Sequence, residues 1–253
     1  MTTPIDDGTI TLAGIEAYSV EDAFRALVGY AFATYEAKTK PGWGDSQVTQ
    51  LPVWAYRTYD CVPASDGNDF SDLDVLVLSG LNVRLTAGAI AQLRWAASRA
   101  ANPLGHARRL AARSSCSFWD LPEYEIADDP PEGGIGAYLH EAWKACKATP
   151  DVGVTRTHKL LHHKAPHLVP VIDRVTRPAL SSAAGDDMNL WQVIHRDVRR
   201  PAFADLEDRF GAYADSKGEV ALTRLRIHDI LLWLHRQPSQ RASALRCGDR
   251  LLG

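Results

Sequence analysis

The chain has 253 residues, of which 45% are hydrophobic and 23% charged, and a formal net charge of −3. That is long enough for one large domain or two interlocked lobes; the composition excludes global disorder, and the charge carries no global nucleic-acid signature. No apolar run approaches the roughly 18 residues needed to cross a bilayer, and the scattered Cys61, Cys116, Cys146 and Cys247 form no C-x-x-C pair for zinc, an iron–sulfur cluster or a disulfide framework.

Nearly every periodic segment has the helical repeat, and the expected class is all-α. Ser19 and Asp22 give a capping-box-like start to a helix whose apolar face (Phe24, Leu27, Val28, Ala31, Phe32, Tyr35) runs to about Lys38. Residues 39–70 read as irregular, and TQLPVWAYRTY fits a short strand or a loop. Ser71 and Asp74 cap a short buried helix, and Thr86 begins another through Ile90, Leu93 and Trp95. Pro103 and Gly105 break the pattern ahead of a basic helix, HARRLAAR. A second irregular region around DDPPEGG closes as AYLHEAWKACKA begins. Further helices are expected at about 153–165, 173–183, 189–198, 201–214 and 219–235, followed by a loose Arg- and Ser-rich tail. The opening MTTPIDDGTI lacks the regions of a signal peptide, so the expected location is cytoplasmic.

Residues 149–177 carry the chemistry. Between Gly153 and Arg177 there is a single acid, Asp173, among Arg156, Lys159, Lys164, Arg174 and four histidines. The first 80 residues hold twelve acids against four Lys or Arg, and bases gather later; such an asymmetry fits a face that meets phosphates or ordinary solvated helix faces. Pro150-Asp151-Val152-Gly153 reads as a tight turn that exposes backbone N–H groups at the start of a helix, where they and the helix dipole can hold a phosphate. Thr155, Arg156, Thr157 and Lys159 would add donors to the Val152 and Gly153 backbone. The same four residues also describe a plain turn between packed helices. Downstream, Pro166 and Pro170 stop one helix and fix the approach to the next, leaving Asp173 at or near its N-cap.

Hairpin, helix, proline loop and Asp together resemble the helix–hairpin–helix, Gly/Pro-rich loop, Asp superfamily of DNA glycosylases over about 30 residues. Here Asp151 replaces the first hairpin Gly, and one more residue separates the second Pro from the Asp. The resemblance implies a two-lobed helical fold with an interlobe cleft: residues 63–183 form the lobe with the motif and catalytic loop, and residues 1–62 plus 184–253 form the other. It implies that Asp173 stabilises the sugar cation or orients water during hydrolysis of an N-glycosidic bond in double-stranded DNA, with no cofactor and no metal. Bifunctional members carry a Schiff-base lysine two residues after the second hairpin Gly; that position is Thr155, so a monofunctional enzyme is expected, serving repair or defence against modified foreign DNA. A flipped base needs an aromatic pocket, for which residues 43–60 offer Trp43, Gln47, Trp54, Tyr56, Tyr59 and Asp60, with Trp54, Tyr56 and Tyr59 as candidates beside ordinary core packing.

Two other readings remain open at this level. One is a non-catalytic helix–hairpin–helix nucleic-acid-binding module in which Asp173 only caps. The other is a metal-dependent nuclease built from His158, His162, His163, His167 and Asp173. Separately, Phe70-Ser71-Asp72-Leu73-Asp74, the segment from Lys159 to Asp173, and Arg226-Ile227-His228-Asp229 look like landmarks of an uncharacterised helical family spanning most of the chain.

Overall fold

The computed structural model describes residues 8–38 and 48–253. Its order is β1 (Thr9–Leu12), β2 (Ile15–Ser19), α1 (Val20–Phe32), β3 (Thr34–Lys38), β4 (Val48–Pro52), α2 (Asp72–Leu76), α3 (Ala87–Ser114), α4 (Ile135–Lys147), α5 (Gly153–Lys164), α6 (Arg177–Ala184), α7 (Leu190–Val198), α8 (Pro201–Ser216), α9 (Arg224–His235) and α10 (Pro238–Leu252). A π-helical turn, Tyr56–Asp60, and a 3-10 turn, Val77–Leu81, add to a mainly helical fold. No helix of the described residues is long and apolar enough to cross a membrane.

Two antiparallel strand pairs qualify the all-α expectation. β1 and β2 close through Ala13 and Gly14, both at positive φ, the backbone that a two-residue hairpin needs. β3 pairs with β4, Tyr35 opposite Leu51. Tyr35 is thus a strand residue, not the last rung of α1. The helix stops because Ala33 turns extended and its carbonyl accepts from the Val53 N–H at 3.0 Å.

The expected caps at Ser19 and Ser71 form, and Thr86 and Asn189 cap α3 and α7, each accepting from a backbone N–H three residues on. Pro103, however, does not break its helix: α3 runs straight through it. Leu93, Ala96, Ala97, Ala100, Leu104, Ala107 and Ala111 make one buried stripe, mostly small, that packs on α4. That burial outweighs the hydrogen bond to Arg99 that Pro103 cannot donate.

The C-terminal tail is also ordered. α10 lies along α1 at such short range that a Cβ on Gly29 would overlap the Ala244 carbonyl, and one on Gly248 the Arg25 carbonyl. Small residues at the crossing let two helices approach backbone to backbone.

α1 packs on α8, α9 and α10, while α3 packs on α2, α4 and α5. A single continuous core joins them. At its centre α9 is buried on nearly every side, the position of a helix enclosed by others. It nevertheless buries Arg226, His228 and Asp229.

Candidate functional site

The turn between α4 and α5 sets the entry to the site. Asp151 and Gly153 both take left-handed backbone, at φ of 60° and 64°. Asp tolerates that region better than most residues because its short side chain can bond locally. Val152 between them is buried, anchoring the turn. The first turn of α5 has no acid and no side-chain cap, so its leading N–H groups lack partners within the helix.

The six residues expected around a phosphate separate in three dimensions. Gly153 stays exposed at the turn, and Arg156 beside it donates to the Asp151 and Arg84 carbonyls. Thr157 is fully buried, with its Oγ1 unpartnered, so it touches core and not phosphate. Thr155 and Lys159 instead line a cavity.

The histidines of α5 are neither exposed nor idle. His158, His162 and His163 are all buried. His158 Nδ1 lies 2.8 Å from the Pro170 carbonyl, while its Nε2 lies 3.1 Å from the Trp143 indole N–H. The indole can only donate, so Nε2 accepts and Nδ1 carries the proton toward the carbonyl. His162 Nδ1 meets the Val169 carbonyl at 2.6 Å in the same way. Burial drives His158 down to about 4 and His162 down to about 3, so both rings are neutral near pH 7, as that tautomer requires. The histidines therefore staple the proline loop to α5. His163 and Lys164 turn instead to Asp74, whose carboxylate is held by Ser65 and Ser71; burial pushes it up, but those hydrogen bonds bring it down to about 2.

The stapled loop delivers Asp173. Its Oδ1 accepts from the Val175 N–H at 2.7 Å, the Thr176 N–H at 3.0 Å and the Thr176 hydroxyl at 3.3 Å, capping the turn that precedes α6. Helix α6 itself begins at Arg177, later than the sequence suggested. Oδ2 accepts no hydrogen bond from the described residues.

Asp173 lines a cavity of about 540 Å³, together with Lys159, Arg226, Asp229, Trp54 and Trp233. Lys159 Nζ donates to the Leu81 carbonyl at 2.8 Å; burial lowers its ammonium, and Asp229 and Asp173 oppose that shift. Arg226 makes a fork to Asp60, at 2.6 and 3.1 Å, bonds Asp229 through its other nitrogen, and donates to the Tyr30 hydroxyl at 2.9 Å. Burial pushes Asp229 up to about 6, Arg226 pulls it down, and the Asp173 charge adds to the rise. Two carboxylates thus share one cavity with an amine.

Arg226 and Asp229 escaped the functional reading because nothing in their local sequence places them near Asp173. The available signal was an Arg-x-x-Asp pair within the apolar-rich run Leu225 to Leu234, since buried charges need a reason.

The aromatic candidates divide as well. Trp54 forms part of the cavity wall, stacked on Tyr30 with ring centres 5.8 Å apart and its indole N–H on Gln240. Tyr56 and Tyr59 do not reach it: they are 0% and 1% exposed, with hydroxyls spent on the Val220 and Lys159 carbonyls. A ring so enclosed has no free face to stack on a base, so both belong to the core. Trp43 and Gln47 lie outside the described residues. Trp233, absent from the sequence candidates, supplies a further aromatic wall.

No curated protein and no solved structure matches the chain. A protein-family model described as a family of unknown function, DUF6308, matches residues 32–236, a span that takes in Trp54, Lys159, Asp173, Arg226, Asp229 and Trp233. The chain belongs to the DUF6308 family of unknown function.

Proposed function

We propose that this protein is a monofunctional DNA N-glycosylase acting on a flipped, damaged or modified base in double-stranded DNA. The observation that carries the proposal is Asp173, with one carboxylate oxygen unclaimed, in an aromatic-walled cavity beside Asp229 and Lys159. As the C1′–N bond breaks, its electron pair leaves with the base and positive charge grows on the sugar. The Asp173 carboxylate stabilises that charge. Asp229, pushed up to about 6, suits a proton donor to the departing base near neutral pH, or an acceptor from the attacking water. The water oxygen adds to C1′, giving an abasic site and the free protonated base. Thr155 stands where bifunctional relatives of the resembled superfamily carry their lysine, and Lys159 is held to the Leu81 carbonyl. Phosphate contact falls to the first turn of α5 and to Arg156.

A second reading has its own support: Oδ1 of Asp173 is fully used as a cap, as in a binding module with no reaction. The histidines support a nuclease poorly, since the Nδ1 atoms of His158 and His162 are spent on carbonyls. One experiment separates the readings. Wild type and Asp173→Asn are incubated with duplexes carrying varied base lesions and modifications, with and without chelator, and abasic sites are revealed by alkali. Abasic sites that survive chelator and vanish in the variant are expected. Direct breaks abolished by chelator would mean a nuclease, and salt-sensitive binding with no product on any duplex would mean a binding module.

A further inference from the structure

A second cavity, of about 280 Å³, lies behind the wall that carries Asp173. Val154 and Ile172 line it, whereas their neighbours Thr155 and Asp173 line the first cavity, so one thin partition separates the two. Its inner wall is aromatic: Trp143, Trp191 and His140, with the His140 and Trp191 rings edge to face at 5.1 Å. The Trp143 N–H is already bonded to His158, leaving the indole as a π surface. Burial, and then Lys144, lower the His140 imidazole, so its ring is neutral near pH 7; its N–H bonds the Asp128 backbone, which leaves the other nitrogen as an acceptor for a base edge.

The mouth is cationic. Lys144, Lys147 and Arg177 line it, and none of the three pairs with a carboxylate among the described residues. Lys147 sits 4.5 Å over the Trp143 ring. Arg177 is the first residue of α6, at the positive end of the helix dipole, where a cation is disfavoured unless an anion joins it. Val154 near the start of α5 and Leu190 with Trp191 at the start of α7 bring two more helix N-termini to the same cavity, against one lining acid, Asp128.

We propose that this cavity binds a single nucleotide, its base against the Trp143 and Trp191 rings and its phosphate among Lys144, Lys147 and Arg177. Aromatic walls select a flat π system, and unpaired cations at the mouth select an attached anion. The volume suits one nucleotide and not a dinucleotide cofactor. The site stands apart from the Asp173 chemistry, and its test involves no turnover.

The full chain is titrated calorimetrically with deoxyadenosine monophosphate, deoxyribose 5-phosphate and a short single-stranded oligonucleotide. The mononucleotide is expected to bind and the sugar phosphate to bind far more weakly. Trp143→Leu should weaken nucleotide binding about tenfold or more. The exposed pair Lys144→Glu with Lys147→Glu, which leaves the core untouched, should abolish binding, while Asp173→Asn leaves it unchanged. Binding of the oligonucleotide alone would overturn the proposal in favour of a strand-binding surface. Sugar phosphate binding as tightly as the nucleotide would overturn the proposal, as would affinities unmoved by the charge reversal, or no binding of any of the three. Because Asp173→Asn is silent here, a failed glycosylase reading and a failed nucleotide site give different results.

Discussion

Asp173 has two roles that two substitutions pull apart. Asp173→Ala removes the acceptor for the Val175 and Thr176 N–H groups along with the charge. Losing such a cap costs about 1 kcal/mol, within a range of about 0.5–2, which lowers Tm by roughly 1–8 °C for a chain of this size. Asp173→Asn keeps an Oδ1 acceptor at the same place, so its stability should stay within about 0.5 kcal/mol of wild type. The Asn variant nevertheless lacks the negative charge facing the sugar. Removing one such electrostatic stabiliser costs on the order of a hundredfold to a thousandfold in rate. Thermal melts paired with single-turnover base release on the best duplex read both quantities. The expected pattern is inactivity in both variants and destabilisation in Ala alone. An Asn variant that melts with wild type and releases base at the wild-type rate would refute the catalytic argument and leave a cap.

Arg226→Met strands Asp60 and Asp229 in the core without their guanidinium; breaking such a buried pair should cost about 3–5 kcal/mol, checked by urea unfolding, and a loss under about 1 kcal/mol would show that the network adds little. Gly29→Ala drives a methyl into the Ala244 carbonyl and should destabilise by about 1–3 kcal/mol or more. Gly88→Ala, in the open first turn of α3, should be neutral or stabilising by up to about 1 kcal/mol. Comparison of the two melts tests the close α1–α10 crossing. Stability should also fall with acid. His158 and His162 are depressed to about 4 and about 3, so between about pH 6.5 and 4 the unfolded chain takes up protons that the folded chain refuses, and folding weakens as pH drops. Asp229, raised to about 6, acts oppositely, since its folded form holds a proton that the unfolded form loses between about pH 4 and 6. Burial also lowers His140, His163, His195 and His235 and raises Asp60, so the depressed histidines outnumber the raised acids and leave a net loss toward low pH. His158→Gln should make the melting-temperature profile shallower there, and a profile rising toward pH 4 would refute this assignment.

Local signals were legible where one stretch of chain supplies both halves of the interaction. Ser19, Ser71, Thr86 and Asn189 cap their helices because donor and acceptor sit three residues apart. Signals that required a remote partner misled. Pro103 looked like a break, yet α4 supplies the packing that carries the helix through it. The C-terminal tail looked loose, because its apolar content is low and what docks it is the smallness of Ala244 and Gly248 against Gly29. Tyr56 and Tyr59 looked like ring surfaces for a base, but their neighbours come from α1, α5, α8 and the segment before α9 and enclose them.

The sequence by itself determined the helical class, most helix starts, the tight turn at residues 150–153 and the lone acid after the proline loop. These follow from periodicity, capping and the backbone limits of Pro and Gly, which act over a few residues. Only the tertiary structure decided what surrounds that acid. Asp229 and Arg226 lie more than fifty positions along the chain from Asp173, and they share its cavity because α9 is the helix that the others enclose. The histidines changed meaning for the same reason: burial made them neutral, and neutral rings staple the loop that holds Asp173 in place.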